Sequence, residues 1–438
     1  MSLLIFTSVI TPRVKYSFDL IFKDIIGIPY ELTHSKEDFQ SSTLPKINYS
    51  ENSFSDELFF FSSSLLFEKG IHQQDISVFD WEGSKAFFAT HPRYALPFDP
   101  FAVSFYLVTR YEEYLPHKSD VLGRYDVKES IAWQKGFLQK PLVNVWANKI
   151  GEILKARYPQ LDIPKKKYQY LSTIDIDNAY AFKEKGIVRT IGALARGLIQ
   201  FDGATLRDRI SVLLGMKQDP YDTYEMILQI HKRNDLKCIW FFLLGDYGEN
   251  DKNVSISSKK LQSLIKYIAD YSECAIHPSF ASYTAPEKII LEKSRLRKVI
   301  KRDVTKSRQH FLMLKFPDTY RSIIQYDITD DYTMGYSGEV GFRASICTPF
   351  YFYDLGYETK TKLQIHPFAF MDATFLYYLK LKPAEALNAI KSLVKEVKAV
   401  DGTLISLWHN ESLSNMYPWK GWRNVYEQMV EISIEDNA

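Results

Sequence analysis

Leu171-Ser172-Thr173-Ile174-Asp175-Ile176-Asp177-Asn178 reads as a buried β-strand that runs out into two carboxylates. Side chains repeat every two residues along a strand, so Asp175 and Asp177 share one side while Ile174 and Ile176 share the other. Like charges held this close cost free energy unless a cation lies between them or one carries a proton. The pair therefore predicts a metal or acid–base site at a strand end. The plainer alternative is a strand that dissolves into a solvated Asp-Asn turn.

Working outward from this strand, the chain repeats strand, loop and helix to its end. Strands are predicted at Lys237–Leu244, Cys274–His277, Phe311–Leu314, Leu363–Ile365 and Thr403–Trp408. Helices are predicted over Thr223–Arg233, Ser258–Tyr271, Pro286–Thr305, Pro383–Ala399 and Trp422–Ile432. Such alternation indicates a parallel sheet, either closed into a barrel or doubly wound. The earlier part has a different texture. Short strands at Ser2–Ile10, Phe59–Phe61 and Val78–Phe79 alternate with polar loops such as Ser41–Phe54, followed by helices over Pro100–Tyr114 and Val143–Tyr158. The basic, proline-containing stretch Tyr158–Lys167 is the predicted linker. The expected organisation is an N-terminal α+β domain over 1–165 and an α/β domain over 166–438.

With 438 residues and 46% hydrophobic content, the chain can bury a large core. Its formal charge of +2 gives no electrostatic case for nucleic acid. The 29 Tyr, 29 Phe and 7 Trp suit carbohydrate stacking and an ordinary core equally. Cys238, Cys274 and Cys347 are odd in number and widely spaced, which predicts free thiols in a reducing compartment. The N-terminus lacks a basic, signal-peptide-like start, and no apolar run reaches the roughly 18 residues of a membrane span. A cytoplasmic location is expected; the sequence does not set an oligomeric state. One insertion, 181–219, is net basic: Lys183, Lys185, Arg189, Arg196, Arg207, Arg209 and Lys217 stand against Glu184, Asp202 and Asp208. It reads as a lid, as a surface for peripheral contact with membrane or lipid-linked glycan, or as a solvated helix pair.

Groups capable of chemistry collect where the predicted strands end. Asp175 and Asp177 end the first, His277 ends Cys274-Ala-Ile-His277, and His310 lies beside Arg308. His366 ends Leu363-Gln-Ile-His366, and His409 ends Leu404-Ile-Ser-Leu-Trp-His409. One Asp with two or more His is a normal ligand set for a catalytic divalent cation, Zn foremost. The loop Asp330–Arg343 offers Glu339 and Arg343, with His366, as substrate contacts. Asp372 reads as a helix N-cap, and Arg110, Glu112 and Glu113 as ion pairs on a helix surface or between domains.

The segment from about Tyr168 onward resembles the polysaccharide deacetylase family, also known as the NodB-homology or carbohydrate esterase family 4 domain. Thr173-Ile-Asp175-Ile-Asp177 is similar to its first motif, His277-Pro-Ser279 to the start of its second, Arg308-Gln-His310-Phe to its third, and Leu404–His409 to its last. The whole chain, with Asp99-Pro-Phe and Arg110-Tyr-Glu-Glu-Tyr, resembles two-domain bacterial members. The resemblance implies a distorted (β/α) barrel, Asp175 as base, Asp177 and His277 as metal ligands, Arg308 as the partner of the base and His409 as general acid. One departure stands out: the family's second metal-binding His falls on Ala281, leaving that ligand to His310, His366, Asp330 or Asp331, or to none. The implied activity is metal-dependent removal of an N-acetyl or O-acetyl group from a sugar or surface-polysaccharide precursor. Two alternatives remain open: a non-catalytic glycan-binding or scaffold protein on a degenerate barrel, and hydrolysis of a small non-sugar amide.

Overall fold

The computed structural model describes residues 2–199 and 203–435. Of the charges counted in the insertion, Asp202 and the side chain of Arg196 lie outside the described residues. Strands β1 (Leu3–Thr7), β2 (Tyr30–Thr33), β3 (Lys46–Ser50) and β4 (Leu58–Phe61) form a sheet in the order β2-β1-β3-β4. Every pair in it is parallel. A parallel pair needs a crossover, and helix Pro12–Phe18, continued by the wide-turned helix Asp19–Ile26, supplies the first. Thr11 caps its start by accepting from the backbone N–H of Val14, Pro12 takes the first turn, and Gly27 closes the end at φ +89°. The region is thus α/β where an α+β arrangement was expected, and part of the stretch read as a polar loop, Ser41–Phe54, is strand β3. The short hairpin of β5 (Phe79–Trp81) and β6 (Ser84–Ala86) is antiparallel.

The second sheet comprises β7 (Gln169–Ile176), β8 (Cys238–Phe242), β9 (Glu273–Ile276), β10 (Lys306–Ser307), β11 (Asp330–Asp331), β12 (Phe350–Asp354), β13 (Thr359–Ile365), β14 (Phe370–Met371) and β15 (Thr403–His409). It is nine-stranded, in the order β12-β13-β11-β10-β9-β8-β7-β15-β14. All its pairs are parallel except the edge pair β12/β13. A mixed α/β architecture with a large, mainly parallel sheet is therefore present. Among the described residues no ladder joins β12 to β14. Strand β8 is a continuous apolar run, as a sheet covered on both faces requires, and Trp240 in β8, Ile174 in β7 and Trp408 in β15 are fully buried.

One prediction fails locally. Phe311–Leu314 is not a strand. The strand is β10, and His310–Leu312 is a single turn in which Phe311 and Leu312 adopt φ of +56° and +54°. Arg124 Nη1 donates to the Phe311 carbonyl at 2.6 Å, giving that turned backbone a partner no sheet provides.

Helix Pro100–Val108 is capped by Asp99, which accepts from the N–H groups of Phe101 and Ala102. It is apolar all round and buried on every face. It stops before the predicted Tyr114 because Arg110 turns left-handed at φ +55°. That turn sends the Arg110 guanidinium inward to Glu112 and Glu113, each at 2.7 Å, and to the Tyr336 hydroxyl at 3.0 Å. Glu113 also accepts from Arg343, at 2.9 and 2.6 Å. The ion pairs expected at Arg110 are therefore a buried cluster, and they fasten the first 165 residues to the loop before β12. One core of apolar side chains is likewise continuous from Leu3 to Val430.

Arg343, 2% exposed, is thus a structural cation in this cluster. Removing one partner of a buried ion pair strands the other charge, at a cost of about 3–5 kcal/mol. Arg343→Met is expected to lower unfolding stability by about 3 kcal/mol in chemical denaturation, with metal uptake unchanged once folded.

Candidate metal centre

Because β7, β9, β10 and β15 run parallel, the residues that follow them emerge on one edge of the sheet. Register brings them into line. His409 pairs with Asp175 across β15 and β7, and Ser307 pairs with Ile276, so Arg308 and His277 leave adjacent strands together. All six residues expected to carry catalysis or metal binding meet there: Asp175, Asp177, His277, Arg308, His310 and His409.

The two aspartates are in different surroundings. Asp175, 1% exposed, accepts from Arg308 Nη1 at 2.7 Å. Arg308 lies fully buried over the Phe241 ring at 4.4 Å, and its Nε donates to the Tyr332 carbonyl. Asp177 meets three imidazoles, His277 Nε2 at 3.3 Å, His310 Nε2 at 3.4 Å and His409 Nε2 at 3.7 Å, and His277 Nε2 also lies 3.7 Å from Asp175. Burial opposes its charge, yet His310 and His409 hold its carboxyl well below the usual carboxylate range. Asp177 Oδ1 is buried, and its nearest polar neighbour is His277 Nε2 at 3.3 Å, without good hydrogen-bond geometry.

Asp177, His277 and His310 can hold a metal ion, since one donor atom from each lies within 4.8 Å of the others. The remaining nitrogens of the two imidazoles are already committed. His277 Nδ1 lies 2.5 Å from the Arg308 carbonyl, and His310 Nδ1 lies 2.9 Å from Asp251. Each ring therefore presents Nε2 to Asp177, as metal-binding histidines held by an outer carbonyl or carboxylate do. The buried Asp177 carboxylate and this donor set fit a divalent cation such as Zn. Ala281 contributes no ligand. Its N–H and that of Phe280 donate to Asp251 at 3.0 and 2.8 Å, so the turn after His277 rests on the carboxylate that fixes His310.

Across the site, His409 Nδ1 lies 2.8 Å from Asp372, whose second oxygen accepts from the His409 N–H at 2.8 Å. Burial alone would lower the His409 imidazole, but Asp372 and Asp177 outweigh it and raise it well above histidine's ordinary range. Asp372, fully buried, also accepts from the Ala373 N–H. The next helix, Thr374–Tyr378, starts at Ala373 with no side-chain cap, so Asp372 is not the expected N-cap but the partner that orients His409. Glu411 lines the same cleft. Burial, with Asp177 and Asp372, pushes its carboxyl up to about 7, against the pull of His409 and Lys185. The cleft, about 430 Å³, is walled by Phe311, Tyr377, Tyr378 and Trp419, and Arg124 reaches it from the first 165 residues.

Three expected substrate contacts lie elsewhere. Glu339 and Arg343 line an adjoining cavity of about 330 Å³ that shares Arg124, Ser337 and Tyr378 with the cleft. His366 does not line the cleft: its Nε2 is 2.8 Å from Asp330, and its ring stacks on Tyr332 at 4.3 Å. Asp331 accepts from Ser307 and Thr333 and is no ligand candidate. Asp251, Asp372, Glu411 and Arg124 are the functional-site residues that sequence reasoning missed. Asp372 had a signal, since it follows a strand just as Asp177 does. Asp251 lies in a loop with none.

A family of unknown function (DUF7033) matches residues 3–159. No curated protein matches the chain. Among solved structures, the chain is similar to a provisionally named polysaccharide deacetylase from Mycobacterium smegmatis, at 13% identity, over 63% of this chain and 86% of that one, with a TM-score of 0.40. It is also similar to the polysaccharide deacetylase Bc1974 from Bacillus cereus, at 10% identity, 62% and 86% coverage and a TM-score of 0.29. A third is a CE4 family pseudoenzyme from Bacillus anthracis, at 12% identity, 60% and 61% coverage and a TM-score of 0.28. Likenesses this distant assign no activity, and the chemistry rests on the geometry above.

Outer partners of metal-bound histidines typically contribute 10–100-fold to affinity. Asp251→Asn is expected to weaken zinc binding by about tenfold or more in chelator competition, while Asp330→Asn, beside His366, leaves it unchanged.

Proposed function

We propose that the protein is a metal-dependent hydrolase that removes an N-acetyl, or O-acetyl, group from a sugar or surface-polysaccharide precursor, on a distorted (β/α) barrel of NodB-homology type formed by residues 166–438. The observation that carries this reading is the division of labour within one carboxylate pair. Asp175 is engaged by Arg308, while Asp177 sets Oδ1 against His277 Nε2 and Oδ2 against His310 Nε2. A divalent cation held by Asp177, His277 and His310 would polarise the acyl carbonyl and lower the pKa of water at the site.

The chain's own groups divide the remaining work. Asp175, held on Arg308, takes the proton of the attacking water. His409 returns a proton to the departing amine, because an amide anion leaves too poorly to go unaided. Asp372 fixes the His409 ring, so that Nε2 faces the cleft and Nδ1 stays on the carboxylate. Phe311, Tyr377, Tyr378 and Trp419 offer faces on which a sugar ring can pack while its hydroxyls meet Arg124 and Glu411. His310 answers the departure at Ala281, which supports the catalytic reading over a degenerate, glycan-binding one.

Asp175→Asn and His409→Ala are each expected to reduce acetate release from N-acetylglucosamine oligomers by at least about 10²-fold while both proteins stay folded. Near-native turnover in either variant contradicts the assignment. Asp372→Asn removes the charge that keeps His409 protonated. The alkaline limb of its kcat profile is therefore expected to move to lower pH, with kcat reduced more than KM is changed.

A further inference from the structure

Directly after Asp177 and Asn178, the chain leaves the sheet for the insertion 181–219, two helices at Ile187–Ile199 and Gly203–Leu213. Its ends are clasped. Buried Asp219 accepts from the N–H groups of Ala181, Phe182 and Lys183 at 2.7, 2.9 and 3.0 Å, so the segment leaves and rejoins the body at one point. It stands on the same edge as the metal centre. Lys185 donates to Asn178 at 2.7 Å, and Arg189 donates to the carbonyls of Lys252 and Asn253, beside Asp251.

The hairpin gathers exposed aliphatic side chains. Ile187 is 79% exposed, Ile191 61%, Ile199 76%, and Leu214 and Met216 67% each. Ile187 and Ile191 lie one turn apart on a single face. Cations are interleaved: exposed Arg207 precedes Ile210, and Lys217, paired with Asp208 at 2.6 Å but still half exposed, follows Met216, while Arg189 and Arg209 lie over the rings of Tyr247 and Phe182. An interface between protein copies depletes charge at its apolar centre. Apolar side chains interleaved with Lys and Arg instead match a surface whose acyl boundary is capped by anionic headgroups. No helix among the described residues is long and apolar enough to cross a membrane.

We propose that segment 181–219 is a membrane-docking hairpin that seats on an anionic bilayer through Ile187, Ile191, Leu214 and Met216, bringing the metal cleft to the bilayer surface. This docking does not depend on the reaction assigned above.

The test is co-sedimentation of the full chain with vesicles of phosphatidylglycerol or of phosphatidylcholine. The wild type is expected to bind the anionic vesicles at least about tenfold more strongly than the neutral ones, and to be released by high salt. The double variant Ile187→Asp/Ile191→Asp is expected to lose about tenfold or more of that binding while keeping its circular dichroism spectrum and zinc uptake. The double variant Arg207→Glu/Lys217→Glu, which leaves the apolar face intact, is expected to bind both vesicle types equally weakly. Three results would overturn the proposal: equal wild-type affinity for the two vesicles, unchanged binding by either variant, or no vesicle binding together with a wild-type dimer that Ile187→Asp/Ile191→Asp converts to monomer in sedimentation velocity.

Discussion

Arg308 is the residue on which the rest of the site depends. It follows the two-residue strand β10, its guanidinium holds Asp175, and its carbonyl lies against His277 Nδ1. One backbone position thus sets both the proposed base and the orientation of a proposed ligand. The guanidinium is fully buried, so its charge is sustained by Asp175, by the Tyr332 carbonyl and by the faces of Phe241 and Phe368. Separating such a pair costs about 3–5 kcal/mol, which favours Asp175 staying on Arg308 and leaves the ligand role to Asp177, although Asp175 Oδ2 lies 3.7 Å from His277 Nε2. The strand-end aspartates are tolerated together because each has its own counter-charge.

The first 165 residues take part in this arrangement. The Arg110, Glu112, Glu113 and Arg343 cluster fixes the loop before β12, and Arg124 pins the carbonyl of Phe311, next to His310. Arg124 is itself held by Asp120. The turn that presents His310 is therefore shaped partly by residues far away in sequence. In our reading the chain works as one catalytic unit rather than as a hydrolase with a detachable appendage.

Much of this was legible in the sequence, for physical reasons that can be named. Strands β8, β9 and β15 read as mainly apolar stretches and β7 as Ile174 and Ile176 alternating with aspartates, and parallel order places whatever follows them on one edge. Asp177, His277 and His409 could be located from that rule alone. The rule gave out where strands shrink to two residues. β10 and β11 have no periodicity to detect, so a strand was expected at Phe311–Leu314, past its true position. The outer carboxylates were hidden for a different reason. Asp251 acts from a loop across about sixty residues of chain to His310, and only folding defines that pairing. Arg343 looked like a substrate contact because an Arg in a glycine-rich loop is usually exposed. Its partner Glu113 was read as part of ion pairs on a helix surface or between domains, and the burial of one depends on the burial of the other.

The central claim, that Asp177, His277 and His310 form a metal centre while Asp175 stays outside it, is tested most directly by anomalous diffraction from crystals grown with zinc. The account predicts one strong peak about 2.0–2.2 Å from Asp177, His277 Nε2 and His310 Nε2, with Asp175 still on Arg308. A crystal with no peak there, or one in which Asp175 joins the ligands and releases Arg308, would contradict it.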